Sequence, residues 1–193
     1  MFTEIIVIAI LIVLIYIFFV TNDTELMSVN VNNSVVLVRK LPDYKQSSEL
    51  LYNIIINLFE LRDHLVNNKN NYPQIKEYIE YMEPNFTRKR TLIYENAINS
   101  SYTSYCVNKG EEIVFCMRFK PSLKLHDLNT MMYVAIHEMA HTACPQNGHP
   151  PLFSFIFRGF LQIATVLNIY KYVDYSSLPI VYCGMNLNSQ ILN

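Results

Sequence analysis

At 193 residues the chain has room for one compact domain, and its 51% hydrophobic content can supply a core plus a further apolar segment. The 15 Lys and Arg against 16 Asp and Glu leave a formal net charge of −1, which excludes the strongly basic balance of a general nucleic-acid binder. Cys106, Cys116, Cys144 and Cys183 form no CxxC pair, which excludes a dense disulfide framework; they read as reduced thiols, with a Cys106–Cys116 bridge as the alternative.

The first predicted element is an unbroken apolar run, Ile5 to Val20. A helix over it spans about 24 Å, and Met1 and Phe2 extend it toward the ~30 Å of a hydrocarbon core. Glu4, the lack of an upstream Lys or Arg and the lack of a small-x-small site argue against a cleaved signal peptide. No polar stripe gives the run a solvent side, which argues against a core helix. It reads as a transmembrane anchor over residues 1–21 of a single-pass protein, in a host or virion membrane. Arg39, Lys40 and Lys45 tilt the positive-inside rule toward a domain on the cytosolic side or in a virion interior.

Residues 22–34 are polar and Asn-rich and read as a linker, leaving 35–193 as the domain. Val35 to Val38 is a strand candidate. Ser47 or Ser48 caps a helix running to about Val66, with Leu50, Leu51, Ile54, Ile55, Leu58, Leu61 and Leu65 on its buried face. His64 stands alone on it and reads as a surface residue. Pro73 starts another helix that ends before Pro84. Arg88-Lys89-Arg90 is the one basic cluster; three charges read as a solvated loop, so no direct nucleic-acid binding is expected.

Thr91 to Tyr94 and Thr103 to Val107 read as strands, and Asn108-Lys109-Gly110 as a turn into a partner strand, Ile113 to Phe119. An open edge here would accept an extended peptide as an added strand; an ordinary core hairpin is the other reading. Arg118 suits a structural salt bridge better than a substrate contact.

Asp127 then caps a helix whose apolar supply runs from Leu128 to Ala140, with one polar stripe through Thr130, Tyr133 or Val134, His137 and His141. His137-Glu138-Met139-Ala140-His141 places two imidazoles four residues apart on one face, a spacing that holds zinc. The Glu after the first His can serve as general base toward a zinc-activated water. Pro145 stops the helix, Gly148 allows a tight turn, and His149 arrives on that turn just before Pro150-Pro151 and a helix from Leu152 to Tyr170. Catalytic zinc wants three protein ligands, so His149 fits as the third. No Glu follows Glu138, which removes the thermolysin arrangement, and Asn147 stands where a metzincin needs its third His. Cys144, three residues from His141, is the rival ligand; a thiolate there would lower the metal's charge and weaken water activation.

The spacing HExxH-x7-His, with Gly148 before His149 and Phe153 four residues after it, resembles the WLM and SprT-like zinc metallopeptidases. So does the upstream stretch Val107 to Arg118. The resemblance spans roughly residues 90–170 and covers members anchored in the membranes of large DNA viruses, whose tails Val181 to Met185 is similar to. It implies an α+β, minimal zincin-like domain: a small antiparallel sheet, an active-site helix and packing helices, behind the N-terminal transmembrane helix. It also implies a zinc metallopeptidase acting on a protein or peptide substrate, with Zn2+ on His137, His141 and His149 and Glu138 as general base. Tyr133 and Tyr182 are both candidates for the oxyanion stabiliser. The alternative is a non-catalytic membrane-anchored structural or interaction protein with a structural zinc site, for which the carboxylate of Glu138 has no use.

Overall fold

Helix α1 (Phe2–Thr24) opens the computed structural model, which describes residues 2–120, 122–188 and 191, the side chains of residues 2, 3 and 18–24 excepted. The expected transmembrane anchor is corrected here: among the described residues no helix is long and apolar enough to cross a membrane. The end of the expected run, residues 18–20, lies outside the described side chains. The single-pass membrane localisation falls with the anchor.

The expected linker holds strand β1 (Leu26–Val31), which pairs antiparallel with β2 (Ser34–Arg39). Asn32 and Asn33 take φ of 47° and 63°, the left-handed pair that a two-residue hairpin requires and that Asn tolerates best after Gly. Met27, Val29 and Val31 alternate with exposed Ser28 and Asn30, so one face packs on the core.

Two helices cross over from β2 to the next strand. The first is α2 (Tyr44–Asn67), which starts one turn before the expected serines. Ser47 is instead buried inside it, donating to Glu95 Oε2 at 2.8 Å. The second is α3 (Lys76–Asn85), which keeps Pro84 in its last turn. His64 bonds Tyr72 Oη at 2.8 Å, a structural role.

The crossovers let β3 (Leu92–Glu95) lie parallel to β2. Strand β4 (Tyr105–Val107) and strand β5 (Glu112–Phe115) form an antiparallel hairpin, and β5 slots parallel to β3. The sheet order is β1-β2-β3-β5-β4, so the sheet is mixed where an antiparallel one was expected, and β4 is an edge. The domain remains α+β, as expected.

Against this sheet and α2 packs α4 (Leu128–Ala143), with α3 and α5 (Pro151–Val166) on its other sides. Met131, Met132, Ala135, Ile136, Met139 and Ala140 are fully buried along it. Truncating Met or Ile at such sites costs about 2–5 kcal/mol each, so the helix is held by packing more than by propensity. Arg118 is buried and paired with Glu95 (2.8 Å) and Asp43 (2.6 Å), the structural role the sequence favours.

The last described stretch forms a hairpin, β6 (Ile180–Tyr182) and β7 (Met185–Leu187), turning on Cys183 and Gly184 at φ 47° and 87°. Cys183 is bonded to Cys116, 67 positions earlier and just past β5. This corrects the reading of four reduced thiols and excludes the Cys106–Cys116 alternative; Cys106 and Cys144 are free.

Candidate metal centre

Asp127 fixes where the site begins. Its backbone is extended, and its carboxylate accepts from Thr130 N at 3.0 Å and Thr130 Oγ1 at 2.6 Å, which satisfies an orphan N–H and puts negative charge at the positive helix end. From that cap, Tyr133, His137 and His141 follow at four-residue steps along the face of α4 turned to a cleft of about 840 Å³. The chain leaves α4 at Cys144, turns at Gly148 (φ 72°) and enters α5 through Pro150 and Pro151. His149 comes round to the same cleft.

One ring nitrogen from each of His137, His141 and His149 lies within 4.8 Å of the other two. His137 Nε2 and His149 Nε2 are 2.9 Å apart. Tetrahedral zinc with Zn–N bonds of 2.0–2.1 Å needs nitrogens roughly 3.3 Å apart, so small rotations suffice. Burial, reinforced by the neighbouring imidazoles, pushes His137 down to about 3, and burial with His149 and Lys109 pushes His141 to about 4. Both are therefore neutral, with lone pairs free for a cation. Phe153 supports all three rings: it stacks on His141 at 4.3 Å and meets His137 and His149 edge-on at 4.8 Å. The donor set fits zinc.

Glu138 is 4% exposed, lines the cleft beside the triad, and is pushed up to about 8 by burial. Cys144, the rival ligand, is fully buried and outside the cluster, serving as the helix C-cap. Cys106 lines the cleft, but burial and the proximity of Glu138 push its thiol up to about 12, which argues against a thiolate nucleophile.

The opposite wall combines β4 and the C-terminal hairpin. Tyr182 Oη donates to Cys116 O at 2.8 Å, Ser104 Oγ contacts Tyr182 Oη at 2.5 Å, and Cys116 N donates to Ser104 Oγ at 3.0 Å. That closed ring commits the Tyr182 proton to a carbonyl, which weakens the case for it as an oxyanion donor. Tyr133 packs edge-on against Phe157 and Tyr175 and lines the cleft one turn ahead of His137. The basic cluster is absorbed by structure: Arg88 sits 4.3 Å over the Phe59 ring, and Arg90 donates to Asn108 O at 3.0 Å.

Sequence reasoning missed two contributors to the cleft. One is Lys109, whose ammonium reaches the loop before His149. The other is the pair Asn186 and Leu187, which lie just past the stretch Val181 to Met185 that the resemblance singled out and line the cleft with Tyr182 and Met185.

The chain is 38% identical to the uncharacterized protein R325 of Acanthamoeba polyphaga mimivirus over 180 residues, 91% of this chain and 90% of the relative. It is 31% identical to the uncharacterized protein 136R of Invertebrate iridescent virus 6, over 42% of this chain and 46% of that one. The uncharacterized protein 042R of Invertebrate iridescent virus 3 is 39% identical over 35% of this chain and 42% of its own. No family model matches the chain, and no solved structure does.

Proposed function

The chain belongs to the family of the mimivirus protein R325, and we propose that it is a zinc-dependent metallopeptidase, resembling the WLM and SprT-like enzymes in the order of its ligands. The observation that carries this reading is the gathering of His137, His141 and His149 in a cleft also lined by the buried carboxylate of Glu138. His137, His141 and His149 would hold the metal through neutral imidazole nitrogens. When bound, zinc supplies Lewis acidity to a water and a scissile carbonyl, and a positive charge that favours the ionised form of Glu138.

The rest falls to the chain's own groups. Glu138 accepts a proton from the attacking water at a carboxylate oxygen and returns it to the leaving amide nitrogen, so that one group acts as base and then as acid. The buried surroundings of Glu138 favour the protonated form, which strengthens it as the acceptor of the water's proton. Strand β4 is an edge strand beside the cleft, and an extended peptide laid along it would gain main-chain hydrogen bonds. The cleft's other walls are chiefly neutral, with Val134, Phe157, Met185 and Leu187 among them, which suits apolar side chains.

The test is zinc content and peptide cleavage in wild type and Glu138→Gln. Glutamine keeps the shape of the carboxylate but is a poor proton acceptor. Turnover is expected to fall about 10²–10⁴-fold with the zinc stoichiometry unchanged. Equal cleavage by the two proteins, or none by zinc-loaded wild type across a broad peptide library, would leave a structural zinc site as the better reading.

A further inference from the structure

We propose that Lys109 is the positioning residue of the metal centre, its ammonium tethering the loop that delivers His149. The inference rests on reading His137, His141 and His149 as metal ligands. Two of them ride on α4, which is packed on several sides and cannot easily move. The third does not. Residues 145–149 are exposed throughout, and Gly148 has no atom within 4 Å of where a Cβ would stand. The His149 ring touches Phe153, His137 and His141, but the backbone that carries it is not packed.

Lys109 supplies what packing does not. Its Nζ donates to Cys144 O and to Gln146 O, both at 2.7 Å. The first carbonyl belongs to the C-cap residue of α4, where a cation is favoured by the helix dipole, and the second belongs to the loop itself. One side chain thus joins the end of the two-histidine helix to the segment carrying the third. Charge-assisted bonds of this length are among the stronger ones a side chain makes.

The base of the tether is itself fixed. Arg90 donates to Asn108 O at 3.0 Å and to Lys109 O at 3.3 Å. A Cβ on Gly110 would meet Asn85 O at 2.8 Å and the Thr142 methyl at 3.1 Å, so the turn is seated on α4 one residue past His141. Asn108, Lys109 and Gly110 take φ of 46°, 57° and 109°. Lysine is poorly suited to a left-handed conformation, so its presence here is explained by the reach of its ammonium rather than by backbone ease.

Without the tether the loop samples conformers in which His149 is away from the cleft, and metal affinity drops by the fraction of time it is absent. The test uses the full chain and a zinc titration against a chromophoric chelator. Lys109→Met is expected to weaken zinc binding about 10–100-fold, the range seen for partners that orient ligands. Lys109→Arg, which keeps charge and several donors, is expected to recover most of it. In a His149→Ala background, adding Lys109→Met is expected to change nothing further, because the tether acts through the residue already lost. Thermal melts of the metal-free proteins check folding, and Lys109→Gln, too short to bridge both carbonyls, replaces the Met variant should that one not fold. Undiminished affinity in the Met or Gln variant overturns the proposal. So does an equal loss in the His149→Ala background, which would mean that Lys109 acts on α4 alone. A wild type that binds no zinc overturns the metal-centre reading instead.

Discussion

His126 is a buried imidazole that takes no part in the cluster of His137, His141 and His149. It is 3% exposed, with ring centroids 3.9 Å from Phe119 and 4.9 Å from Tyr182, and burial pushes its pKa down to about 4 against the favourable charge of Asp127. An unfolded histidine titrates near 6.5. Between those values the unfolded chain binds a proton that the folded chain refuses, so stability is intact above about 6.5 and is lost as the pH falls toward about 4. His137 and His141 add to the same loss in metal-free protein. Urea midpoints of metal-free protein between pH 4 and 7 should therefore fall on acidification, and His126→Phe should flatten that fall; identical slopes in the two proteins would sink the assignment. Residue by residue, the sequence exposes what depends on local spacing. His137 and His141 share a face because a helix repeats nearly every four residues, and a Gly-His turn can return only a short distance. Lys109 gave no such signal, since its partners lie 35 and 37 positions away.

Among the elements, α4 was the most legible: an Asp cap, a long apolar supply and a proline stop all point the same way. Replacing Asp127 by Ala should cost about 1 kcal/mol of unfolding free energy, the usual worth of an N-cap that satisfies a backbone N–H. Chemical denaturation with the metal removed measures it. A cost near zero would mean that burial alone fixes where α4 starts. Strand β1 was hidden because its polar half resembles linker composition, although the period-two alternation of Met27, Val29 and Val31 ahead of Asn32-Asn33 was there to read. Strand direction was not legible. Whether β2, β3 and β5 run parallel depends on how two helices pack over them, which no local pattern encodes.

At the scale of the whole molecule, the Cys116–Cys183 bond joins the end of β5 to the hairpin that walls the cleft. Its loss, by Cys183→Ser, should cost about 2–5 kcal/mol, read from urea unfolding of oxidised wild type against the variant. An unchanged midpoint would mean that the hairpin docks without it. This pairing was out of reach of the sequence, because the one local signal, the hairpin that Cys106 and Cys116 flank, points to a different pair and nothing local marks Cys183. The bond also sets an order of events during synthesis. Cys116 leaves the ribosome well before Cys183, and α4 and α5, with the three histidines, are made in the interval. A newly made chain can thus gather the three histidines before its last wall is fastened, and the fastening waits for an oxidant. In thiol-rich surroundings the molecule would persist as an intermediate with an unfastened cleft, so its maturation would be timed by compartment rather than by translation.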